Sequence, residues 1–280
     1  MGKVFERVVT VYLENTLRSS ALANPYLNAL RKKGVFMSNA QGVTHPSQLN
    51  YLASIAGDTM GIGDDDAHYV DWYYVGDDYS PPWQPGTPAS YKYNVEGFSP
   101  VTIVDLLEAH NLSWKCYAES LPPDDQYKDL IQYDMTKSPA ENVANIPPDV
   151  FPFARKHVPF LSFPSIVSNK DRLAKIVNAD EFATDLQMSN GTDKLPHYSF
   201  YVPNLINDGH YISEDEKTRA PGMNIDLGPN NANLKNMQNF LEDFLGPDPV
   251  SKFPGSSAYF SGSHCSGPGQ CSYPVHGSKH

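Results

Sequence analysis

The sequence contains no apolar run of about 18 residues or more, so no segment reads as a membrane-spanning helix. It has no basic excess either. Against 32 Asp and Glu there are 21 Lys and Arg, a formal charge of −11, which argues against a nucleic-acid partner, because phosphate backbones are held by basic patches. The one basic triplet, Arg31-Lys32-Lys33, reads as a helix end complementing the helix dipole beside Gly34. Cysteine is scarce: Cys116, Cys265 and Cys271. The last two are close enough to close a small loop, but an odd count of this size is no disulfide framework. Residues 1–7 do not read as a signal peptide. Two glycosylation triplets, Asn111-Leu112-Ser113 and Asn190-Gly191-Thr192, are common enough by chance to carry little weight.

What is present suits one large α/β domain. A chain of 280 residues with 40% hydrophobic content can bury a substantial core. The β-branched and aromatic run over residues 8–13 reads as a buried strand. Residues 24–33 read as a short helix, with Asn24 as cap and Pro25 at the first helical position. Residues 35–40 then read as a second strand, parallel and adjacent to the first. The spacing predicts helices over 102–110 and 231–244, and strands over 113–118 and 198–202. Residues 147–163, with five prolines in or just after them, read as irregular. Residues 58–98, rich in Asp, Tyr, Pro and Gly, read as a long excursion over the sheet. From 246 to 280, 19 of 35 residues are Gly, Ser or Pro, and such a tail cannot bury enough apolar area to offset its ordering entropy. The expected organisation is a domain over 1–245 and a disordered tail over 246–280.

Four motifs carry chemistry. Tyr12-Leu13-Glu14-Asn15-Thr16 puts an acid and an amide at the carboxyl end of the first strand, where open α/β sheets hold ligands. Thr44-His45-Pro46-Ser47-Gln48-Leu49-Asn50-Tyr51 offers hydroxyls, an imidazole and an amide at the start of an apolar stretch. Ala154-Arg155-Lys156-His157-Val158-Pro159-Phe160 adds a cation and an imidazole. Tyr201-Val202-Pro203-Asn204-Leu205-Ile206-Asn207-Asp208-Gly209-His210 ends a strand with an acid, a glycine and an imidazole. A carboxylate that holds a metal and a hydroxyl at a helix start are the minimum parts of a metal-assisted phosphoesterase.

In this order the four motifs resemble the phosphoesterase family of fungal acid phosphatases and bacterial phospholipases C, and most of all the fungal acid phosphatases. The resemblance covers roughly residues 4–245. It implies an α/β fold like that of alkaline phosphatase, with a mostly parallel central sheet and helices on both faces. It also implies hydrolysis of phosphate esters with a divalent metal ion. Similar phosphatases carry a Phe/Tyr-Asp-Glu motif after the helix corresponding to 231–244. That motif does not occur here, so the chain is expected to be C-terminally truncated, with an incomplete metal site and weak activity. Similar proteins are secreted; the sequence itself leaves location open.

Residue by residue, Glu14, Asp208 and His210 are the expected metal ligands, since hard divalent cations take carboxylate oxygen and imidazole nitrogen. Ser47 is the expected nucleophile at a helix N-terminus, where a serine is also a normal cap, and Thr44 is the runner-up. Asn15 and Asn50 are expected to present amides to phosphoryl oxygens. Lys156 supplies positive charge and His157 an acid for the leaving group, with His45 a weaker candidate. Asp64-Asp65-Asp66 does not match a calcium loop and reads as a solvated loop, with His68 beside it. The expected partner is a small-molecule phosphate ester or a phospholipid head group. The second would follow from a phospholipase C-like diesterase whose loop residues Tyr73, Tyr74, Trp83 and Tyr91 hold a choline. A third reading is a truncated, inactive phosphate binder.

Overall fold

The computed structural model describes residues 5–62, 65, 69–70, 100–123, 136, 151–186, 195–210, 232–245 and 259–261. Four strands form a parallel sheet in the order β1, β5, β3, β4: β1 (Val8–Val11), β3 (Trp114–Ala118), β4 (Ile176–Asn178) and β5 (Tyr198–Val202). The register sets Thr10 beside Phe200, Phe200 beside Cys116, and Cys116 beside Ile176.

The two faces follow from the two-residue period of a strand. Trp114, Cys116 and Ala118 of β3, Phe200 and Val202 of β5 and Ile176 of β4 enter one core. That core also takes Leu49, Leu52 and Ile55 of α3 (Ser47–Ala56), Val104 of α4 (Ile103–Ala109), and Ile166 and Val167 of α5 (Pro164–Val167). Tyr117, Tyr201 and Val177, one residue out of phase, enter a second core on the opposite face. It is closed by α2 (Pro25–Leu30), α7 (Asp180–Leu186) and α8 (Ala232–Leu245). Two shorter helices, α1 (Arg18–Ala23) and α6 (Lys170–Leu173), complete the described set. The α/β class, with a parallel sheet and helices on both faces, is as expected.

Local chemistry explains the boundaries. The Asn24 side chain accepts from the N–H groups of Tyr26 and Leu27, and Pro25 takes the first helical position. Thr102 and Asp105 form a capping box at the start of α4. Gly57, at φ +76°, ends α3 in the left-handed conformation that glycine adopts without a Cβ clash. Arg155–His157 and Pro159–Ser162, within the segment read as irregular, are two tight 3-10 turns.

One expectation is overturned. The second strand, β2 (Val35–Met37), is not a neighbour of β1; that place belongs to β5. β2 pairs instead with β6 (Tyr259–Ser261) in a separate two-stranded parallel ribbon. Its side chains show why. Val35 and Met37 are exposed, and the Phe36 ring lies beneath the guanidinium groups of Arg18 and Arg31, at 5.2 and 5.6 Å. A strand with this pattern has no second face to bury inside a sheet covered on both sides. β6 falls within 246–280; the remainder of that tail lies outside the described residues.

Candidate active site

Because the strands are parallel, β1, β3 and β5 all end at one edge of the sheet, and the chain leaving β1 meets the chain leaving β5. The Glu14 N–H donates to the carbonyl of Asp208 at 2.7 Å, fastening the two strand ends together. The turn before Asp208 is held from β3. The Glu119 carboxylate accepts from Tyr201 Oη (3.0 Å), Asn204 N (3.0 Å) and Asn207 Nδ2 (2.8 Å). Gly209 follows at φ +100°. A Cβ there would stand 3.0 Å from Met237 Sδ and 3.1 Å from the Glu14 carbonyl oxygen, so the close approach of the two strands requires glycine.

These constraints bring Glu14, Asp208, His157 and His210 into one buried cluster. Glu14 Oε2 lies 2.8 Å from His210 Nδ1, an ion-pair distance without the alignment of a hydrogen bond. His157 sits between the carboxylates, with Nε2 3.9 Å from Glu14 Oε1 and Nδ1 3.5 Å from Asp208 Oδ2. Asp208 Oδ1 accepts from the His210 N–H at 2.7 Å. Asn15, at φ +36°, sets its Nδ2 2.9 Å from His210 Nε2. The His157 ring stacks on Tyr51 with centroids 4.6 Å apart.

Charge follows from this packing. Burial alone would raise the Glu14 pKa, but the His210 imidazole, the His157 ring and the Ser47 hydroxyl pull it down to about 2. Burial alone would lower the His210 pKa, but Glu14 beside it, helped by Asp208, raises it. Burial, with Glu14 and Asp208 next, pushes the Tyr51 phenol well up, so it stays neutral.

α3 delivers the hydroxyl. Pro46 is its N-cap and Ser47 its first residue, so Ser47 is not the cap. Its hydroxyl lies near enough to the Glu14 carboxylate to help lower that carboxyl's pKa. Tyr51, one helical turn on, faces the same cluster. Thr44 is half-buried, its Oγ1 donating to the His45 carbonyl at 3.2 Å, and His45 is exposed. Asn50 spends its amide on the loop. Its oxygen accepts from Val43 N (2.7 Å) and Thr44 N (3.2 Å), and its nitrogen donates to the carbonyls of Thr44 (2.8 Å) and Pro46 (3.3 Å).

Lys156 points the other way from its neighbour His157, to Asp65 Oδ2 at 2.7 Å. Asp65 Oδ1 accepts from the Gln48 N–H at 2.9 Å. Asp65, read from the sequence as part of a solvated loop, is partly exposed and ties that loop to the start of α3 and to Lys156. Pro46 has no side-chain oxygen, so the N–H groups at the start of α3 need a distant acceptor, though nothing local in the sequence picks out Asp65 as that acceptor. Asp64, Asp66, His68 and the aromatic residues Tyr73, Tyr74, Trp83 and Tyr91 lie outside the described residues, as do Cys265 and Cys271.

Glu14 Oε2, Asp208 Oδ2, His210 Nδ1 and both ring nitrogens of His157 are buried without hydrogen-bond partners. Each such atom costs about 1–3 kcal/mol unless something meets it. Carboxylate oxygens and imidazole nitrogens are the donors a divalent cation takes, so the residues fit one in chemistry. As they stand, among the described residues, no three His, Cys, Asp or Glu side chains are arranged as a ready metal cage.

A model of the Phosphoesterase family matches residues 18–218. The chain is 32% identical over 209 residues to a probable acid phosphatase of Kluyveromyces lactis, covering 75% of this chain and 40% of that protein. It is 31% identical over 210 residues to an acid phosphatase of Aspergillus niger, again covering 75% and 40%. Over a shorter stretch of 61 residues it is 41% identical to a phosphatidylinositol-3-phosphatase of Mycobacterium tuberculosis, 21% of this chain and 20% of that protein. The chain thus spans about 40% of the length of the fungal relatives.

Proposed function

The chain belongs to the phosphoesterase family, and from that premise we propose that it hydrolyses phosphate monoesters as an acid phosphatase does, with Ser47 as nucleophile. One observation carries this reading. Four segments far apart in sequence contribute two carboxylates, two imidazoles and a hydroxyl to one cluster at the strand ends. Ser47 attacks phosphorus in line, the bond to the ester oxygen breaks, and a phosphoserine forms that water then hydrolyses. The positive end of the α3 dipole favours both the alkoxide and the phosphoryl oxygens. Lys156 brings positive charge to those oxygens. His210 is the partly exposed imidazole of the cluster, set beside Glu14 for the cation, and the leaving alcohol takes its proton from water. His157, fully buried under Tyr51, orients the carboxylates, and Asn50 shapes the loop that carries Thr44. Asn15, beside His210, supports a phosphoryl oxygen through its amide.

Glu14, Asp208 and His210 would hold a divalent cation. When bound, such an ion neutralises charge growing on the phosphoryl oxygens and favours the deprotonated hydroxyl. A Glu14 carboxyl with a pKa of about 2 stays charged in acid, which supports an enzyme working at low pH. The likeness to a phosphatidylinositol-3-phosphatase supports a phosphorylated lipid head group as one substrate to try.

The test is turnover of p-nitrophenyl phosphate and of the corresponding diester in acid. The monoester is expected to be hydrolysed faster, and Ser47→Ala to lose monoester turnover by several orders of magnitude while staying folded. A folded Ser47→Ala protein with near-normal turnover removes Ser47 from the chemistry, and a faster diester rate favours the phospholipase C-like reading.

A further inference from the structure

We propose that Asp65 is a positioning residue that holds the Lys156 ammonium beside the nucleophile helix. This rests on the reading of Lys156 as a phosphate-binding group.

α3 starts without a cap of its own, because Pro46 offers no side-chain oxygen. Asp65 supplies one from 17 residues further along, with Oδ1 on the Gln48 N–H at 2.9 Å. Its other oxygen, Oδ2, takes Lys156 Nζ at 2.7 Å. One carboxylate thereby joins the residue after the nucleophile to the residue before His157. The pair is partly solvated, with side-chain exposures of 21% for Lys156 and 30% for Asp65, so its contribution to stability is small. Its geometric effect is not. A lysine ammonium swings on a flexible four-carbon stem, and an ammonium can serve more than one acceptor. A carboxylate fixed to the start of α3 confines that swing to the neighbourhood of Ser47.

Asp65→Asn separates the two arms. The amide oxygen can still cap Gln48, while its NH2 group faces the ammonium and cannot hold it. Asp65→Glu keeps two acceptor oxygens. The experiment measures inorganic phosphate binding by calorimetry, and p-nitrophenyl phosphate kinetics, for the wild type, Asp65→Asn, Asp65→Glu, Lys156→Met and the Asp65→Asn/Lys156→Met pair. The expected result is about ten-fold weaker phosphate binding, and a matching rise in KM, for Asp65→Asn and for Lys156→Met alike. The double variant is expected to bind no worse than Lys156→Met, and Asp65→Glu to bind better than Asp65→Asn. Losses that add in the double variant overturn the proposal. So does an Asp65→Asn protein that binds phosphate as tightly as the wild type, or more tightly, which would make Asp65 a competitor of the phosphate. A wild type that neither binds phosphate nor turns over the ester defeats the phosphatase reading itself, and the inference with it. A working wild type matched by Asp65→Asn defeats the inference alone.

Discussion

At the scale of single residues, the site is set by positions where only one residue type meets the local demand. Gly209 is the clearest. Its φ is +100°, and a Cβ would stand only 3.1 Å from the Glu14 carbonyl oxygen, too close beside a backbone that β1 and β5 hold fixed. Gly57 has a similar φ of +76°, but a Cβ there would meet nothing within 4 Å. Both alanine variants bear the left-handed strain, and only Gly209→Ala also forces Asp208 away from Glu14. In urea unfolding, Gly209→Ala is expected to lose about 1–3 kcal/mol and most phosphatase turnover. Gly57→Ala is expected to lose about 1 kcal/mol and keep its turnover. Equal activity in the two variants would break the link between the strand-end contact and the site. Not all of these demands could be read from the sequence. Glu14, Asp208 and His210 were legible because each stands just past a strand-like run. Asp65 was not, since its partners Gln48 and Lys156 are distant in sequence and an Asp triplet reads locally as a solvated turn.

At the scale of elements, strands with two buried faces were the legible ones. β3 and β5 alternate between two cores, and their apolar runs announce it. β2 looked similar over its three residues, yet Val35 and Met37 are exposed, and nothing in so short a run distinguishes a sheet strand from a surface ribbon. β4 and the turns over 155–162 escaped because prolines and short lengths erase periodicity. Helix starts were easier, because capping is local chemistry. Asn24 does more than cap α2, however. Its Nδ2 also donates to Gln238 Oε1 of α8 at 2.9 Å, so one side chain ties two helices of the same face. Asn24→Ala is expected to lower stability by about 1–2 kcal/mol, and Asn24→Ser, which keeps a capping oxygen but cannot reach Gln238, by less. Thermal unfolding of the pair checks this; equal losses would mean that the bridge to α8 contributes most of the effect.

At the scale of the whole molecule, a parallel sheet covered on both faces gathers the strand ends at one edge, and the start of α3, the Lys-His turn and the β5 turn close around that edge. Such an edge is where open α/β sheets hold their ligands. The central claim is that this one cluster passes a phosphoryl group through Ser47. The direct measurement is to quench the enzyme in acid during turnover of p-nitrophenyl phosphate and locate the covalent phosphoryl group by tandem mass spectrometry. The account predicts phosphate on Ser47. Phosphate on Thr44, or steady turnover with no phosphorylated residue, would contradict it.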